Sequence, residues 1–447
     1  MAKTTEELGN PLKKSLIAKL DYDQLTNCMR CGFCLPACPT FRETGLEQES
    51  PRGRIALMKA VTDGLMEPDG SFRDQMDHCL GCRACEPACP ADVKYGQLIE
   101  QARDAIEDHA ERGPLMTGVR RLFFKSILPH RNRLKRAGSL LAFYRKSGLR
   151  ALARRSGAMK LFPEHMREME NVLPDATGRG VLERIGEVYP AKGEKIARVA
   201  LFRGCLMDVL FAETNVNTVK LLSEAGFEVV IPPSQTCCGA LHAHSGEMEQ
   251  ARELARANAK TFRSADVDYV VSNAGGCGAF LVEYDHLLHD DREYAELGEW
   301  LASRTVDVAN LIVERGRLPA FAEAEAAEPV TITYQDSCHL RNVMKSSDAP
   351  RRLMRQVSGA HYCEMKESDR CCGSAGIYNV TQPEMAGQIL RHKMEHANET
   401  NARYMLTSNP GCLLQMKLGI EKHGAKGRME AKHVVDYLYE RIAAPKE

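Results

Sequence analysis

Cys28-Met29-Arg30-Cys31-Gly32-Phe33-Cys34-Leu35-Pro36-Ala37-Cys38-Pro39 and Cys79-Leu80-Gly81-Cys82-Arg83-Ala84-Cys85-Glu86-Pro87-Ala88-Cys89-Pro90 write one frame twice, C-x2-C-x2-C-x3-C-P. Three closely spaced thiolates can wrap three irons of a [4Fe-4S] cube, and the fourth must arrive from a more distant segment. Where two such runs share a protein, the fourth cysteine of each serves the other cluster. The spacing therefore assigns Cys28, Cys31, Cys34 and Cys89 to one cluster and Cys79, Cys82, Cys85 and Cys38 to the second. Zinc is the competing reading, but zinc ribbons use paired C-x2-C knuckles rather than two complete runs of four closed by Cys-Pro.

Nine of the seventeen cysteines lie outside these runs, and none falls between Cys89 and Cys205. The start of the chain carries Lys and polar residues without the apolar centre of a secretory signal, and no run reaches the about 18 apolar residues that cross a bilayer. The expectation is a cytoplasmic protein whose thiols stay reduced unless metal-bound. A length of 447 residues with 44% hydrophobic content is enough for two or three packed domains. A formal net charge of zero leaves no overall field to gather nucleic acid.

Around the runs, Ser50-Pro51 opens a helical stretch from Arg52 to Met66, so residues 1–110 read as a small helical domain. Arg52 and Arg54 could raise the potential of a nearby cluster, though solvated surface arginines are the default expectation. Leu8, Leu12, Leu16 and Leu20 recur at helical spacing and suit packing on their own domain. Between Gly113 and Pro163 there are thirteen Lys or Arg and no Asp or Glu. That basic, amphipathic connector (111–195) suits an anionic membrane surface, an acidic partner face, or equally a solvated helical face.

From about residue 196 apolar runs alternate with helical stretches, the pattern of an α/β layer with a parallel sheet. A repeat is legible there. Val199 to Cys205 answers Ile332 to Cys338, Cys237-Cys238-Gly239 answers Cys371-Cys372-Gly373, and Tyr269 to Asn273 before Cys277 answers Tyr404 to Asn409 before Cys412. Offsets of 133, 134 and 135 residues mark a duplicated unit, 196–318 and 329–447, joined by an Ala- and Glu-rich linker near Pro319 to Glu328. Open α/β sheets gather ligands at the carboxyl ends of their strands, so Cys205, Cys237, Cys238 and Cys277 can meet at one point, as can Cys338, Cys371, Cys372 and Cys412. Buried structural cysteines are the alternative for both sets. Cys363 has no counterpart in the first copy and reads as a core residue.

At these motifs the chain resembles the iron-sulfur subunits of bacterial glycolate oxidase, within a wider group holding the third subunit of anaerobic glycerol-3-phosphate dehydrogenase and heterodisulfide reductase subunits. Cys28-Met-Arg-Cys31-Gly-Phe-Cys34, Ser50-Pro-Arg-Gly-Arg54, Cys237-Cys-Gly-Ala-Leu-His242, Asp336-Ser-Cys-His-Leu340 and Asn409-Pro-Gly-Cys412 carry the likeness. The fold class it implies is multidomain α+β: a helical ferredoxin domain with two [4Fe-4S] clusters, then two duplicated α/β cysteine-rich CCG modules, each retaining four thiolates for a further cluster. The five-cysteine pattern of heterodisulfide reductase is broken here. The fifth position would be Ala274 or Phe280 in one module and Asn409 or Gln415 in the other.

No G-x-G-x-x-G follows a strand, so the hydride acceptor must come from elsewhere. The resemblance implies FAD-containing dehydrogenase subunits as partners, oxidising glycolate, with electrons passed on to a quinone or another acceptor and with peripheral contact on the cytoplasmic face of the inner membrane. Lactate or glycerol-3-phosphate dehydrogenase and a thiol or disulfide reductase remain as alternatives. His242, His244 and His339 beside the CCG cysteines either serve protons near a cluster or satisfy local hydrogen bonds.

Overall fold

The computed structural model describes residues 9–323 and 329–442. Its first layer is helical: Pro11–Lys19, Tyr22–Asn27, Pro51–Thr62, Gly70–Asp77 and Tyr95–Asp108. Local chemistry sets the starts. Asn10 Oδ1 accepts from Leu12 N at 3.0 Å, Ser50 Oγ from Gly53 N at 3.0 Å and Asp69 Oδ1 from Phe72 N at 2.9 Å, with proline in the first turn after Asn10 and Ser50. Leu12, Leu16 and Leu20 pack with Ile55, Met58 and Leu98 in one core, as their spacing predicts; Leu8 lies outside the described residues. Gly53 is required by a close approach, since a Cβ there would lie 2.0 Å from the Glu47 carbonyl oxygen.

The connector is a chain of helices, including Pro114–Arg121, Arg131–Lys146, Leu149–Arg155 and Glu164–Val172. One side is not solvated at all. Phe124, Leu128 and Leu134 are buried, and a Cβ on Gly138 would lie 2.4 Å from Val209 of the neighbouring module. On the other side Leu115, Val119, Leu140, Phe143, Leu152 and Phe162 stand exposed.

Two sheets follow. The first holds β1 (Val188–Tyr189), β2 (Ala197–Phe202), β3 (Phe227–Val230), β4 (Tyr269–Ser272) and β5 (Thr305–Asp307), in the order β1-β3-β2-β4-β5. Only β1 runs antiparallel. It comes from the stretch read as connector, and two residues are too short a run for periodicity to register. The second holds β6 (Val330–Gln335), β7 (Ala360–Tyr362), β8 (Tyr404–Thr407) and β9 (Glu430–His433), all parallel, in the order β7-β6-β8-β9. Without β1 the two orders coincide, which is the duplication seen in the sequence.

The copies are fused rather than strung together. Val199, Leu201 and Val271 of the first sheet share one core with Ile332, Tyr334 and Leu406 of the second. Asp436 accepts from Thr214 Oγ1 at 2.7 Å and from Asn217 Nδ2 at 2.9 Å, and His433 Nε2 donates to the Asn273 carbonyl at 2.9 Å. No helix among the described residues is long and apolar enough to cross a membrane.

Asp307 caps the helix Val308–Arg315, its Oδ1 accepting from Ala309 N at 2.9 Å and Asn310 N at 3.3 Å. Burial nevertheless pushes its carboxyl up to about 7. Between roughly pH 4, where an unfolded aspartate ionises, and 7, the folded state keeps a proton the unfolded chain has lost. Stability therefore falls as pH rises through that window, by at most about 1.4 kcal/mol per pH unit. Asp307→Asn keeps a capping acceptor and should flatten this slope, read from urea midpoints of wild type and variant across the window.

Candidate functional site

The second cysteine of each N-terminal run sits between two left-handed residues. Arg30 (φ 54) and Gly32 (φ 92) flank Cys31; Gly81 (φ 63) and Arg83 (φ 59) flank Cys82. This coils the backbone about the sulfurs, and Gly81 N donates to Cys79 Sγ at 3.3 Å. Arginine in this region costs about 1–2 kcal/mol, and both arginines are tied down. The Arg30 carbonyl accepts from Arg52 Nη1 at 2.9 Å, while Arg83 is paired to Glu86 and, across to the first CCG module, to Glu283.

Two hollows result. One is lined by Cys28, Cys31, Cys34, Cys85 and Cys89, the other by Cys38, Cys79, Cys82 and Cys85. The last cysteine of each run thus lies among the cysteines of the other. The first hollow meets solvent: Cys31 is exposed, with Met29 and Phe33 standing 65% and 64% exposed beside it. The four cysteines of the second are buried. Burial pushes the Cys34 and Cys38 thiols up, and those of Cys82 and Cys85 far up. Soft iron cations would hold such thiols as thiolates. Clustered thiols around a hollow are the donor set of a [4Fe-4S] cube, and these residues fit that group.

Arg54 corrects the expectation of a solvated surface arginine. It is fully buried, donating to the Glu49 carbonyl at 2.6 Å, the Gln75 carbonyl at 2.7 Å and Glu49 Oε2 at 2.7 Å. Thr40 Oγ1, which also donates to the Glu49 carbonyl, lies 3.3 Å from Cys38 Sγ. The guanidinium is therefore a permanent cation within the shell that shapes the second hollow. Arg52 is half-buried and paired with Glu47.

In the CCG modules every sequence-selected cysteine lies just beyond a parallel strand. Cys205 follows β2, Cys237 and Cys238 follow β3, and Cys277 rides the helix after β4. Their sulfurs form a chain: Cys205 lies 3.4 Å from Cys237, and Cys238 touches both Cys237 and Cys277. Cys338, Cys371, Cys372 and Cys412 repeat it, with contacts from Cys338 to Cys371, Cys371 to Cys372 and Cys372 to Cys412. Among the described residues no group of three or more His, Cys, Asp or Glu side chains is arranged to hold a single metal ion. Cys363 directly follows β7 and is half-buried, its N–H donating to the Ile332 carbonyl at 2.9 Å, so it is only partly the core residue expected.

The fifth-ligand positions are otherwise employed. Ala274 and Phe280 are buried apolar side chains. Asn409 donates Nδ2 to Cys412 Sγ at 3.5 Å while its Oδ1 accepts from Gly276 N at 3.1 Å, stitching one module to the other. Gln415 accepts from Asn379 Nδ2 at 2.9 Å.

The buried ferredoxin loop docks on the second module. Cys82 packs with Cys371 and Cys338, Asn342 Nδ2 donates to the Cys82 carbonyl at 2.9 Å, and Tyr378 Oη donates to the His78 carbonyl at 3.0 Å. His339 Nε2 donates to the Gly81 carbonyl at 3.0 Å; burial, with His244 and Arg83 nearby, pushes this imidazole down to about 3, so it is neutral. His244 stacks on His339 and bonds Glu100 through Nδ1 at 2.8 Å. His242 is buried and donates Nε2–H to the Phe124 carbonyl at 2.9 Å. All three histidines are hydrogen-bonded ties between segments.

Sequence reasoning missed Lys393. It is 3% exposed near Cys371 and Cys372, donates to the Glu367 carbonyl, and has no carboxylate within ion-pair distance among the described residues. Asn258 occupies the equivalent position in the first copy, donating to the Cys237 carbonyl at 2.9 Å. The 135-residue offset could have found this pair, since aligning the copies sets a cation against an amide.

Family models match three parts of the chain: "4Fe-4S dicluster domain" over residues 24–93, "Glycolate oxidase iron-sulfur subunit, linker region" over 117–173, and "Cysteine-rich domain" over 199–282 and 332–417. The chain is 48% identical to the probable glycolate oxidase iron-sulfur subunit of Bacillus subtilis over 440 residues, 98% of each chain. It is 28% identical to the glycolate oxidase iron-sulfur subunit of Escherichia coli over 94% of each. Lactate utilization protein A of Oceanobacillus iheyensis is 30% identical over 53% of this chain and 92% of that protein.

Removing the Arg54 charge leaves the buried Glu49 carboxylate with only His78 Nδ1, 2.9 Å from its Oε1, to compensate it. Arg54→Met should cost about 3–5 kcal/mol, and adding Glu49→Leu should recover much of it, read as denaturant midpoints of the anaerobic protein.

Proposed function

The chain belongs to the family of glycolate oxidase iron-sulfur subunits, and from that premise we propose that it is the electron-transfer subunit of a flavin-dependent glycolate dehydrogenase. Hydride abstraction occurs in partner flavoprotein subunits, and the final acceptor is a quinone. Cys28, Cys31, Cys34 and Cys89 would hold one [4Fe-4S] cluster and Cys79, Cys82, Cys85 and Cys38 the other; the two CCG sets would each hold a further cluster. Bound there, the clusters supply one-electron transfer between a reduced flavin and the acceptor.

The observation that carries this reading is the graded burial of the two hollows. Cys31 reaches solvent between Met29 and Phe33, whereas Cys82 is enclosed and packed against Cys371 and Cys338 of the second module. The exposed loop offers an apolar port to a partner, and the enclosed one leads inward. Arg54 lies near Cys38 and Cys79 but is paired with the buried Glu49, so this pair adds no net charge beside the second hollow. Thiol or disulfide reduction is disfavoured because Ala274, Phe280, Asn409 and Gln415 leave no fifth thiolate. Lactate as substrate is disfavoured because the glycolate linker model spans residues 117–173, whereas the lactate-utilization relative covers only about half of the chain.

The connector supports peripheral association with the cytoplasmic face of the inner membrane. Thirteen cations without an anion between Gly113 and Pro163 complement acidic lipid headgroups, and the exposed Leu115, Val119, Leu140, Phe143 and Phe162 can enter the interface.

Co-expression with the cognate flavoprotein should give glycolate-dependent reduction of a dye acceptor that neither chain supports alone. Phe33→Glu should weaken assembly by about tenfold or more, as expected for a lost apolar anchor, with iron content unchanged. Activity of this chain alone, or assembly indifferent to Phe33→Glu, would count against the port.

A further inference from the structure

A cavity of about 430 Å³ lies between the connector helix Glu164–Val172 and two helices of the second module, Pro383–Glu399 and Pro410–Lys422. Met169, Leu390 and Leu418 give it apolar walls, Asn379 and Gln415 supply amides, and His165 and His423 add imidazoles. Gln415 is 1% exposed, yet only half of its amide is engaged: Oε1 accepts from Asn379, whereas Nε2 donates to no described residue. The amide lines the cavity, so water or a ligand there can accept from Nε2.

Gln415 also connects the cavity to the thiols. It stands three residues beyond Cys412 on the same helix, and its Nε2 would lie 3.4 Å from a Cβ built on Gly373, the residue after Cys372. A ligand at this amide is thus separated from the second cysteine set by a single layer of protein.

We infer that this cavity is the acceptor site and that its ligand is a quinone, whose ring carbonyl accepts from Gln415 Nε2 while the ring lies against Met169, Leu390 and Leu418. This rests on the electron-transfer reading above and gives that reading its exit. The reaction adds two electrons, delivered singly, and two protons to the quinone, turning both ring C=O groups into C–OH. The electrons come from glycolate by way of the partner flavin, and the protons from water through the imidazoles of His165 and His423. The same connector helix carries the exposed Met166, close in sequence to the exposed Leu161 and Phe162, so an apolar approach adjoins the cavity. The charged rim is balanced, with Arg391 and Lys422 beside Glu168 and Glu384, so it selects for no anionic acceptor, and a disulfide has no use for an apolar slot.

Gly387 lines the cavity, and a Cβ on it meets nothing within 4 Å, so Gly387→Trp is the variant to put bulk into this space. The test is photolabelling of the anaerobically purified holoprotein with an azido-ubiquinone of short side chain, followed by peptide mapping. Saturable label is expected on peptides containing Met169 or Leu418. It should fall by about tenfold, the effect of losing roughly 1.4 kcal/mol, in Gly387→Trp, with iron content unchanged. Should that variant lose its iron, Gln415→Leu, which removes only the donor, is expected to show the same fall. Label elsewhere, unsaturable label, or label unaffected by either variant overturns the inference. Dye reduction by the wild-type complex separates the two claims: if it persists without cavity labelling, the acceptor site is wrong and the subunit assignment stands; if it is also absent, both fall.

Discussion

Thiols from distant segments converge on shared hollows, and the rest of the molecule is fitted around that convergence. Forty residues separate Cys38 from Cys79, yet both line the same hollow, and Cys89 lines the hollow of Cys28, Cys31 and Cys34. Such a crossing fixes the helices on either side of it. The helix Pro51–Thr62 must start where Ser50 caps it, with Gly53 against the Glu47 carbonyl, if Arg54 is to reach Glu49 behind Cys38. Burial drives the Cys82 and Cys85 thiols far from ionisation, so the arrangement makes physical sense when cationic iron meets them. The same logic recurs in the CCG modules, where parallel strands deliver four thiols from separate loops to one end of each sheet.

Charge is distributed to match. Arg54 is compensated by Glu49, and Arg83 by Glu86 and Glu283, which also join the first cysteine domain to the first module. Lys393 is different: a buried cation with no carboxylate within ion-pair distance among the described residues, beside the vicinal cysteines of the second module alone. The duplicated modules have therefore diverged electrostatically. The second one also receives the Cys82 loop and borders the cavity of Gln415, whereas the first is covered by the connector around Leu134 and Cys205.

Much of this was legible in the chain. Two complete cysteine frames specify both the ligand type and the crossing, and an offset near 134 residues specifies a duplicated sheet with cysteines past its strand ends. Motif spacing carries this information because cluster chemistry is local in sequence. Burial is not local. Nothing in Ser50-Pro-Arg-Gly-Arg54 distinguishes the half-buried Arg52 from the enclosed Arg54, since both follow the same cap. The pairing of β1 with β3 depends on two residues, and the connector's packed face depends on Val209 meeting Gly138. His242, His244 and His339 looked chemical because they neighbour cysteines, yet each is spent on a tie between segments. Lys393 and Gln415 gain meaning only from what surrounds them.

The electron path begins at an exposed loop, passes an enclosed one and leads toward the second module, and each step depends on which thiols belong together. Electron paramagnetic resonance of the dithionite-reduced, anaerobically purified Cys38→Ser protein tests that most directly, with Cys31→Ser and Cys82→Ser as references. Crossed ligation predicts that Cys38→Ser alters the same spectral component as Cys82→Ser and leaves the component altered by Cys31→Ser intact. A Cys38→Ser spectrum that follows Cys31→Ser would contradict it.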